Sequence, residues 1–392
     1  MLMRNTLVAA RHRGVIFGTA LTALTALWIA VAGPASALGV PDRPQSSVAF
    51  NAEVRAVAYH QDVIFVGGRF TAARDGQTTP QRSRLAAVSA SDGALLDWAP
   101  RTDGAVQAIA VAGDSVYLGG DFGRVNGERR EGLAKVHAET GELDEDFAPA
   151  VGGRVLALEA AHDRLYVAGS LYEIDGAKRG SAGAVALDTG ALDEDWRPDI
   201  EGSVRTIAAD SSRVYLGGSF SELNGSEKHG KLAAVDPATG GTDTSFAPKV
   251  WIMVRDLAVT SGQVYGALGG EGGRLASYGS DGTEQWAVTA DGDFQAVTVL
   301  GETIYAGGHF TEVCNTARTG PNGDCVDGSE PRGRLAAVDA SGRLLAWAPQ
   351  ADSAIGVLAM ASNPDLRAVA VGGTFTTFGS GRIDQPYFAH FR

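Results

Sequence analysis

The sequence predicts an all-β fold, a seven-bladed β-propeller of four-stranded antiparallel blades. Three features indicate it: a degenerate repeat of about fifty residues, four short apolar segments in each repeat, and turns rich in glycine, asparagine and aspartate. A closed propeller can hold most of a 392-residue chain in a single domain. With 44% hydrophobic and 20% charged residues, the composition is that of a folded protein.

The clearest copy of the repeat runs from Val106 to Pro149. Its four apolar segments, which we call strands A to D, cover residues 106–111, 116–122, 133–136 and 143–149. They are too short and too rich in valine, tyrosine, phenylalanine and glycine for helices. The pattern recurs at spacings of 52, 49, 49, 50, 40 and 61 residues, beginning at Val54, Val106, Val155, Val204, Val254, Phe294 and Ile355.

A Gly-Gly doublet ends strand B in five copies, where we expect both a positive φ and a close backbone contact: Gly67-Gly68, Gly119-Gly120, Gly217-Gly218, Gly307-Gly308 and Gly372-Gly373. The last copy has a C strand at residues 386–391 but no D strand. Residues 47–50 match the D pattern. We therefore expect this N-terminal strand to complete the last blade and close the ring, which removes the exposed edges.

The motifs Val-Tyr-Leu-Gly-Gly-x-Phe, Asn-Gly, Leu-Ala-x-Val-Asp, Thr-Gly-x-Leu-Asp and Trp/Phe-x-Pro together resemble the delta-60-type propeller repeat of secreted bacterial proteins. The resemblance covers nearly all of the chain after the leader, and the fifth copy departs most from it. The glycine doublet is also similar to that of kelch repeats, whereas no Gly-His…Trp-Asp signature points to WD40 repeats. The resemblance implies a propeller fold and export, and it carries no catalytic residues.

Residues 1–37 have the organisation of a signal peptide. Three arginines precede an uncharged, mostly apolar stretch at residues 14–31, and Ala35-Ser36-Ala37 supplies a small-residue cleavage site. We predict cleavage after Ala37 and a secreted, extracellular protein, with residues 38–46 as a short linker and 47–392 as the propeller. The alternative is an uncleaved membrane anchor, because the apolar stretch reaches the lower limit of a membrane span.

The formal net charge is −13, and cleavage, which removes three arginines and no acidic residue, makes it −16 (−13 − 3). A surface this acidic argues against nucleic acid and anionic membranes as partners, and we expect a monomer that does not insert into a membrane after cleavage. The two cysteines, Cys314 and Cys325, predict one disulfide in an oxidising compartment. A metal pair is the alternative, although no further ligand completes it.

The repeats separate recurring residues, which serve the scaffold, from singular ones, which can serve a ligand. Aromatic residues recur before the terminal proline and predict blade-to-blade packing: Trp98, Phe147, Trp196, Phe246 and Trp347. A cation recurs before strand C, at Arg84, Lys231, Arg274 and Arg334. Acidic residues gather in the C–D turns, for example at Asp144 and Asp193. We interpret them as solvated carboxylates, since the calcium-loop pattern of alternating aspartates is absent.

The B–C and D–A loops should share one face of the propeller, where basic residues nearly balance acidic ones: Arg82, Arg129, Arg130, Lys178, Arg179, Lys228 and Arg332. Copy six has a long B–C insertion at residues 313–333, whereas copy five has almost no B–C loop. Beside that gap, Trp251, Ile252 and Met253 replace the usual polar D–A loop. They either fill the hollow or form an aromatic platform for a sugar or peptide, with Arg274 and His309 as further candidates.

Catalytic motifs are missing: there is no Gly-x-Ser-x-Gly elbow, phosphate-binding loop or paired-histidine metal motif, and no cofactor or metal site is indicated. We expect a non-enzymatic extracellular binding module for a carbohydrate, a cell-envelope component or a protein on the B–C/D–A face. One alternative is a hydrolase or lyase acting on a polymer at the channel mouth, with carboxylates from Asp103, Asp199, Asp291, Asp293 and Asp352. Others are a quinone-dependent dehydrogenase, by fold analogy alone, and a purely structural spacer.

Overall fold

Seven successive antiparallel sheets make up the part of the chain that the computed structural model describes, residues 39–270 and 272–392. The predicted signal peptide and its cleavage site lie outside these residues. The A strands are Val54–His60, Val106–Ala112, Val151–Ala161, Val204–Ala209, Met253–Thr260, Asp293–Leu300 and Val357–Asn363. The B strands are Val63–Gly68, Ser115–Gly120, Arg164–Ile174, Val214–Gly218, Gln263–Gly269, Thr303–His309 and Ala368–Gly373. The C strands are Leu85–Ser89, Leu133–His137, Ala182–Ala186, Leu232–Val235, Arg274–Gly279, Leu335–Asp339 and Phe388–Phe391.

The expectation of four strands in every sheet is wrong for most of them. A ladder-forming D strand, Glu284–Thr289, exists in repeat five. Elsewhere the D segment touches strand C through a single bridge, as between Val136 and Leu143. The last A strand also starts at Val357 rather than at Ile355, because Val357 pairs with the final glycine of strand B as the other starts do.

Short two-stranded pairings lie among the loops at one end of the sheets. Their strands are Ala49–Phe50 with Ala73–Arg74, Arg124–Val125 with Glu128–Arg129, Ala177–Lys178 with the end of Arg164–Ile174, Ile200–Glu201 with Glu222–Leu223, Glu312–Cys314 with Ser329–Pro331, and Thr377–Phe378 with Ile383–Asp384. The described residues contain one 3₁₀ helix, Glu227–His229, and none of their helices is long and apolar enough to cross a bilayer.

Apolar side chains fill the spaces between successive sheets. Trp98 lies in a cluster that joins strands of the first and second sheets, and its indole N–H donates to the carbonyl of His137 in the second (3.0 Å). In the same way, the indole N–H of Trp196 in the third repeat donates to the carbonyl of Asp236 in the fourth (3.2 Å). The predicted blade-to-blade role of the recurring aromatics is therefore confirmed. A further cluster, containing Val54 and Phe388, joins the last sheet to the first.

Close contact, rather than a positive φ, explains the glycine doublets. Neither glycine of any doublet has a positive φ. A Cβ on Gly119 would lie 2.5 Å from Cγ1 of Val155 in the next sheet. A Cβ on Gly120 would overlap the carbonyl oxygen of Ala105. The absence of a Cβ thus allows the neighbouring sheet to pack closely against the first glycine and the D–A loop to pack closely against the second.

The N-terminal segment contacts both the last and the first repeats. The backbone N–H of Gln45 donates to the carbonyl of His390 in the last C strand (2.7 Å). Residues 47–50, expected to form a D strand on that sheet, instead include the short strand Ala49–Phe50, which pairs with Ala73–Arg74 of repeat one. The indole of Trp347 also donates to the carbonyl of Pro41 (3.0 Å).

Candidate functional site

The D–A and B–C loops lie on the same side of the sheets, which we call the loop face. The reason is the strand register, because the start of each A strand pairs with the end of its B strand, as Val54 does with Gly68. The C–D turns therefore lie at the opposite end. Candidate residues on the loop face fall into three groups: carboxylates, arginines and exposed apolar side chains.

Carboxylates of the D–A loops serve as caps for the B–C loops. Oδ1 of Asp103 accepts hydrogen bonds from the backbone N–H groups of Gly123 (2.8 Å) and Arg124 (2.9 Å). Asp291 and Asp352 make the equivalent pairs of bonds in their own repeats. Burial tends to raise the pKa of Asp103, but backbone hydrogen bonds, these two among them, and the charge of Arg124 together lower it.

The pKa of Asp352 is lowered in the same way, so Asp103 and Asp352 are poor general acids. Asp293 is engaged differently, by the guanidinium of Arg255 (2.7 Å). At Asp199 the backbone N–H, rather than the carboxylate, makes the loop bond, donating to Asn224 (2.8 Å). The structure thus gives the sequence-predicted carboxylates separate local roles.

In repeat five, Trp251 stands where Asp103 and Asp291 stand in their repeats, three residues before the recurring apolar residue at the start of strand A. The B strand of repeat five ends at Gly269 and its C strand starts at Arg274. In this short connection the backbone N–H of Gly270 donates to the carboxylate of Asp293 in repeat six. The Trp251 side chain is 69% exposed. The guanidinium carbon of Arg274 lies 5.7 Å from its ring centroid, within cation–π range, while the same guanidinium pairs with Glu284 (2.8 Å).

The other residues of the apolar triplet turn inward. Ile252 and Met253 are half-buried, and Ile252 packs against the cluster between the fourth and fifth sheets. Ile252 therefore fills space, as the first hypothesis for the triplet predicts, whereas Trp251 projects outward, as the second predicts.

The disulfide-bonded insertion of repeat six covers part of the gap in repeat five. Cys314 and Cys325 form the predicted disulfide. The hydroxyl of Thr289 in repeat five donates to the carbonyl of Thr316 (3.0 Å), and a Cβ on Gly272 would lie 2.8 Å from the hydroxyl of Thr319. The missing loop is thus compensated by the neighbouring repeat, and Trp251 stays exposed beside the join.

His309 is exposed at the end of strand B in repeat six, opposite Asp293. Asp293 accepts from Arg255 and from the backbone N–H of Gly270, so it links repeats five and six. Among the described residues, no hydrogen bond or ring contact joins His309 to Trp251 or Arg274. The structure thus brings Trp251 and Arg274 together and leaves His309 on the adjacent repeat.

Several arginines expected on the loop face are buried instead. Arg130 is 9% exposed, and its guanidinium donates to the carbonyls of Phe147, Asp144 and Glu145 in the D segment. Three further arginines occupy the same position, three residues before strand C, and bond to D-segment carbonyls: Arg82, Arg179 and Arg332. Of the predicted basic residues, Arg129, Lys178 and Lys228 are exposed. This correction makes the recurring arginines clamps of the scaffold.

All four exposed large hydrophobic side chains of the described residues lie on the loop face: Tyr172, Trp251, Val326 and Ile355. Of these four, Trp251 alone was predicted from the sequence as an exposed candidate. Tyr172 lies at the extended end of strand B in repeat three, where Ala-Gly-Ser-Leu replaces the usual Gly-Gly-x-Phe. That departure from the repeat was the available signal. Ile355 was missed because the sequence analysis assigned it to a strand.

A cavity of about 440 Å³ is lined by residues from all seven A strands, among them Arg55, Gln107, Arg205 and Arg255. A second cavity, of about 330 Å³, is bordered by Glu159 and Asp256. Burial raises the pKa of Glu159 to about 7 and that of Asp256 to about 6. Where these two carboxylates stand, most repeats have alanine, a signal that the sequence analysis did not use.

Asp256 is committed to the scaffold as well as exposed to the cavity. Its carboxylate accepts from the backbone N–H groups of Val297 and Leu257 (both 2.9 Å) and from the hydroxyl of Thr206 (3.2 Å). The described residues contain no group of three or more metal-ligating side chains placed to hold an ion.

Comparison with known proteins supports the fold class. No family model matches the chain, and no curated protein matches it in sequence. Among solved structures, the WD40 β-propeller domain of Doa1 is similar over 89% of this chain and 96% of its own, with a TM-score of 0.54 and 12% identity. The computationally designed Ika8 protein is similar over 90% of this chain and 99% of its own, with a TM-score of 0.50 and 14% sequence identity. The chain therefore has a propeller-type repeat fold.

Proposed function

We propose that this protein is an exported, closed seven-bladed propeller that binds an extracellular partner on its loop face. The partner class is a carbohydrate or cell-envelope polymer, or else a protein. The observation that carries the proposal is the gathering of every exposed large hydrophobic side chain of the described residues on that one face. Propeller folds serve many binding and scaffold roles, so the fold is compatible with this reading without selecting a ligand.

Ring closure is supported by Gln385, three residues before the last C strand, where four of the other repeats carry the arginine clamp. Its side-chain N–H₂ donates to the carbonyls of Ser47 and Val48 (3.3 and 3.1 Å) and of Phe388 (2.8 Å). The N-terminal segment is thus held as D segments are held elsewhere. This arrangement, with the seven sheets and the delta-60-type motifs, supports a ring completed by the N-terminal segment.

Export is supported by the leader pattern and is compatible with the disulfide. N-terminal sequencing of the protein recovered from culture medium tests it, with Leu38 expected as the first residue. Retention of the whole chain in the membrane fraction would favour the anchor alternative. Light scattering of the purified protein tests the proposed monomer.

Trp251 gives the binding proposal its sharpest test, because a flat exposed ring suits stacking on a sugar or packing on a peptide. Immobilised glycans, cell-envelope polymers and extracellular proteins would be screened with the wild-type protein, Trp251→Ala and Tyr172→Ala. Arg343→Ala is the matched control, since Arg343 is exposed and follows a C strand at the opposite end of the sheets.

We expect retention without turnover by the wild type and by Arg343→Ala, and at least tenfold weaker retention by Trp251→Ala. Unchanged retention by both aromatic variants would reject the loop face as the binding site. Turnover of a polymer would instead favour the hydrolase or lyase alternative. That alternative has less support, because the loop carboxylates are committed to caps and Asp256 to three donors.

A further inference from the structure

Every A strand carries a β-bulge at its second repeat position. The pairing register skips one residue after Val54, Val106, Val155, Val204, Val254, Phe294 and Val357. A bulge turns the side chain of the extra residue away from the regular alternation of the strand. All seven bulged residues line the 440 Å³ cavity: Arg55, Gln107, Leu156, Arg205, Arg255, Gln295 and Leu358.

The bulged residues give this cavity several basic side chains in an acidic protein, and Asp256 is the acidic residue that also lines it. Three of the bulged residues are arginines and none is acidic, whereas the chain has a formal net charge of −13. Arg55 is paired with Glu53 (2.9 Å) and Arg255 with Asp293 (2.7 Å). Arg205 has no ion pair or hydrogen bond within the described part of the chain, and it is exposed to the cavity opening.

Cations surround Arg205. Partial burial lowers its pKa, and the neighbouring guanidiniums of Arg255 and Arg154 lower it further. Arg255 and Arg154 are each paired with an aspartate, Asp293 (2.7 Å) and Asp121 (2.6 Å), so Arg205 is the guanidinium of the three that has no anionic partner among the described residues. An arginine presents several N–H donors in a planar fork that matches a carboxylate or phosphate group.

Gln295 supplies a second unsatisfied group on the same wall. Its side-chain oxygen is buried and has no hydrogen-bond partner among the described residues. Gln295 as a whole is half-buried and lines the cavity, and a ligand hydroxyl pairs with whichever amide atom faces the cavity, as donor or acceptor. The cavity thus combines an unpaired cation with an unpaired polar group and has the volume of a small-molecule site.

We propose that this cavity binds a small hydroxylated compound bearing a carboxylate or phosphate, such as an acidic sugar. Arg205 pairs with the anionic group, Arg255 adds to the positive potential, and Gln295 hydrogen-bonds a hydroxyl. The ligand lies against the A strands rather than against Trp251. The proposal is therefore independent of the loop-face partner and stands or falls separately from it.

Calorimetry on the full-length protein tests the proposal with four probes: glucuronate, glucose 6-phosphate, glucose and inorganic phosphate. We expect at least one acidic sugar to bind at least tenfold more tightly than glucose, with an affinity that falls as salt rises. Preference between the two acidic sugars distinguishes a carboxylate ligand from a phosphate ligand. Equal binding of glucose, or no binding of either acidic sugar, overturns the proposal, and tighter binding of inorganic phosphate would overturn the sugar assignment.

Variants locate the site. Arg205→Gln should weaken the acidic sugar about tenfold, since it removes a charge-assisted contact. Arg197→Gln is the matched control, because Arg197 is exposed, carries the same charge and does not line the cavity. Gln295→Leu should weaken the sugar but leave inorganic phosphate unaffected. Equal affinities of Arg205→Gln and wild type, with the fold intact by circular dichroism, would overturn the assignment.

Discussion

Repeats two and five solve the same packing problem by different means. In repeat two, Asp103 caps the B–C loop, Gly119-Gly120 ends strand B, and Arg130 holds the D segment, which makes one bridge to strand C. In repeat five, Trp251 replaces the cap, Ala267-Leu268 replace the glycines and Gly272 replaces the arginine. Its D strand, Glu284–Thr289, forms a full ladder with strand C.

The difference shows how the scaffold features depend on one another. In repeat two the B–C loop supplies the amides that Asp103 caps and carries the arginine that lies over the D segment. In the short connection of repeat five, Asp293 of repeat six binds the amide of Gly270, no arginine stands at the clamp position, and backbone hydrogen bonds hold the D strand instead. The position of the cap is then free for an exposed tryptophan. Repeat five is therefore the place where the repeat's structural constraints are relaxed.

The largest effect that this comparison predicts is at Gly120. Gly120→Ala places a Cβ against the carbonyl oxygen of Ala105, and backbone cannot yield as a side chain would. We expect a loss of about 3 kcal/mol or more in the free energy of unfolding, measured by denaturant titration. Gly241→Ala is the control, because a Cβ there meets only a threonine hydroxyl at 3.3 Å. A loss below about 1 kcal/mol for Gly120→Ala would contradict the close-contact explanation.

The next effect concerns the arginine clamp. Arg130→Ala should lower the free energy of unfolding by about 2 kcal/mol, because three D-segment carbonyls lose a charged donor. Arg129→Ala, next along the chain, removes an exposed side chain paired with Glu131 and should cost at most about 0.5 kcal/mol. Equal losses in the two variants would mean that the buried arginines do not hold the D segments.

Much of the scaffold was predictable from the sequence because its signals recur. The recurring aromatics gave the packing between sheets, and the two cysteines gave the disulfide. The arginine clamp recurred equally, three residues before strand C, but was read as surface charge. Arginine in a polar loop resembles solvated arginine unless the carbonyls that it bonds are known.

The site was harder to predict because its signals occur once. Ile355 was assigned to a strand, since an apolar residue near a strand start gives no sign of the bulge and loop that expose it. Glu159 and Asp256 were ordinary acidic residues until the A strands placed them in a cavity. The pKa of a carboxylate depends on its surroundings, which the one-dimensional pattern does not contain.

A smaller effect, on the pH dependence of stability, tests whether the pKa of Glu159 is raised in the folded protein. Its pKa is about 7 in the folded protein and about 4.3 when unfolded, so the folded state binds the extra proton. Stability should therefore fall as pH rises between these values. From pH 5 to pH 8, the wild type should lose about 2 kcal/mol more than Glu159→Gln in denaturant titrations. Parallel stability curves would contradict the raised pKa.

The smallest expected effect is at Trp251, and it separates the two tryptophans of repeat five. Trp286 is half-buried, and its indole N–H donates to the carbonyl of Ala340 (2.9 Å), so Trp286→Ala should cost about 3 kcal/mol. Trp251 is 69% exposed, with the Arg274 guanidinium over its ring. Trp251→Ala should therefore change the free energy of unfolding by at most about 0.5 kcal/mol. A loss of unfolding free energy as large as that of Trp286→Ala would show that Trp251 is a packing residue. It would then contradict the interpretation that the structural constraints of the repeat are relaxed in repeat five.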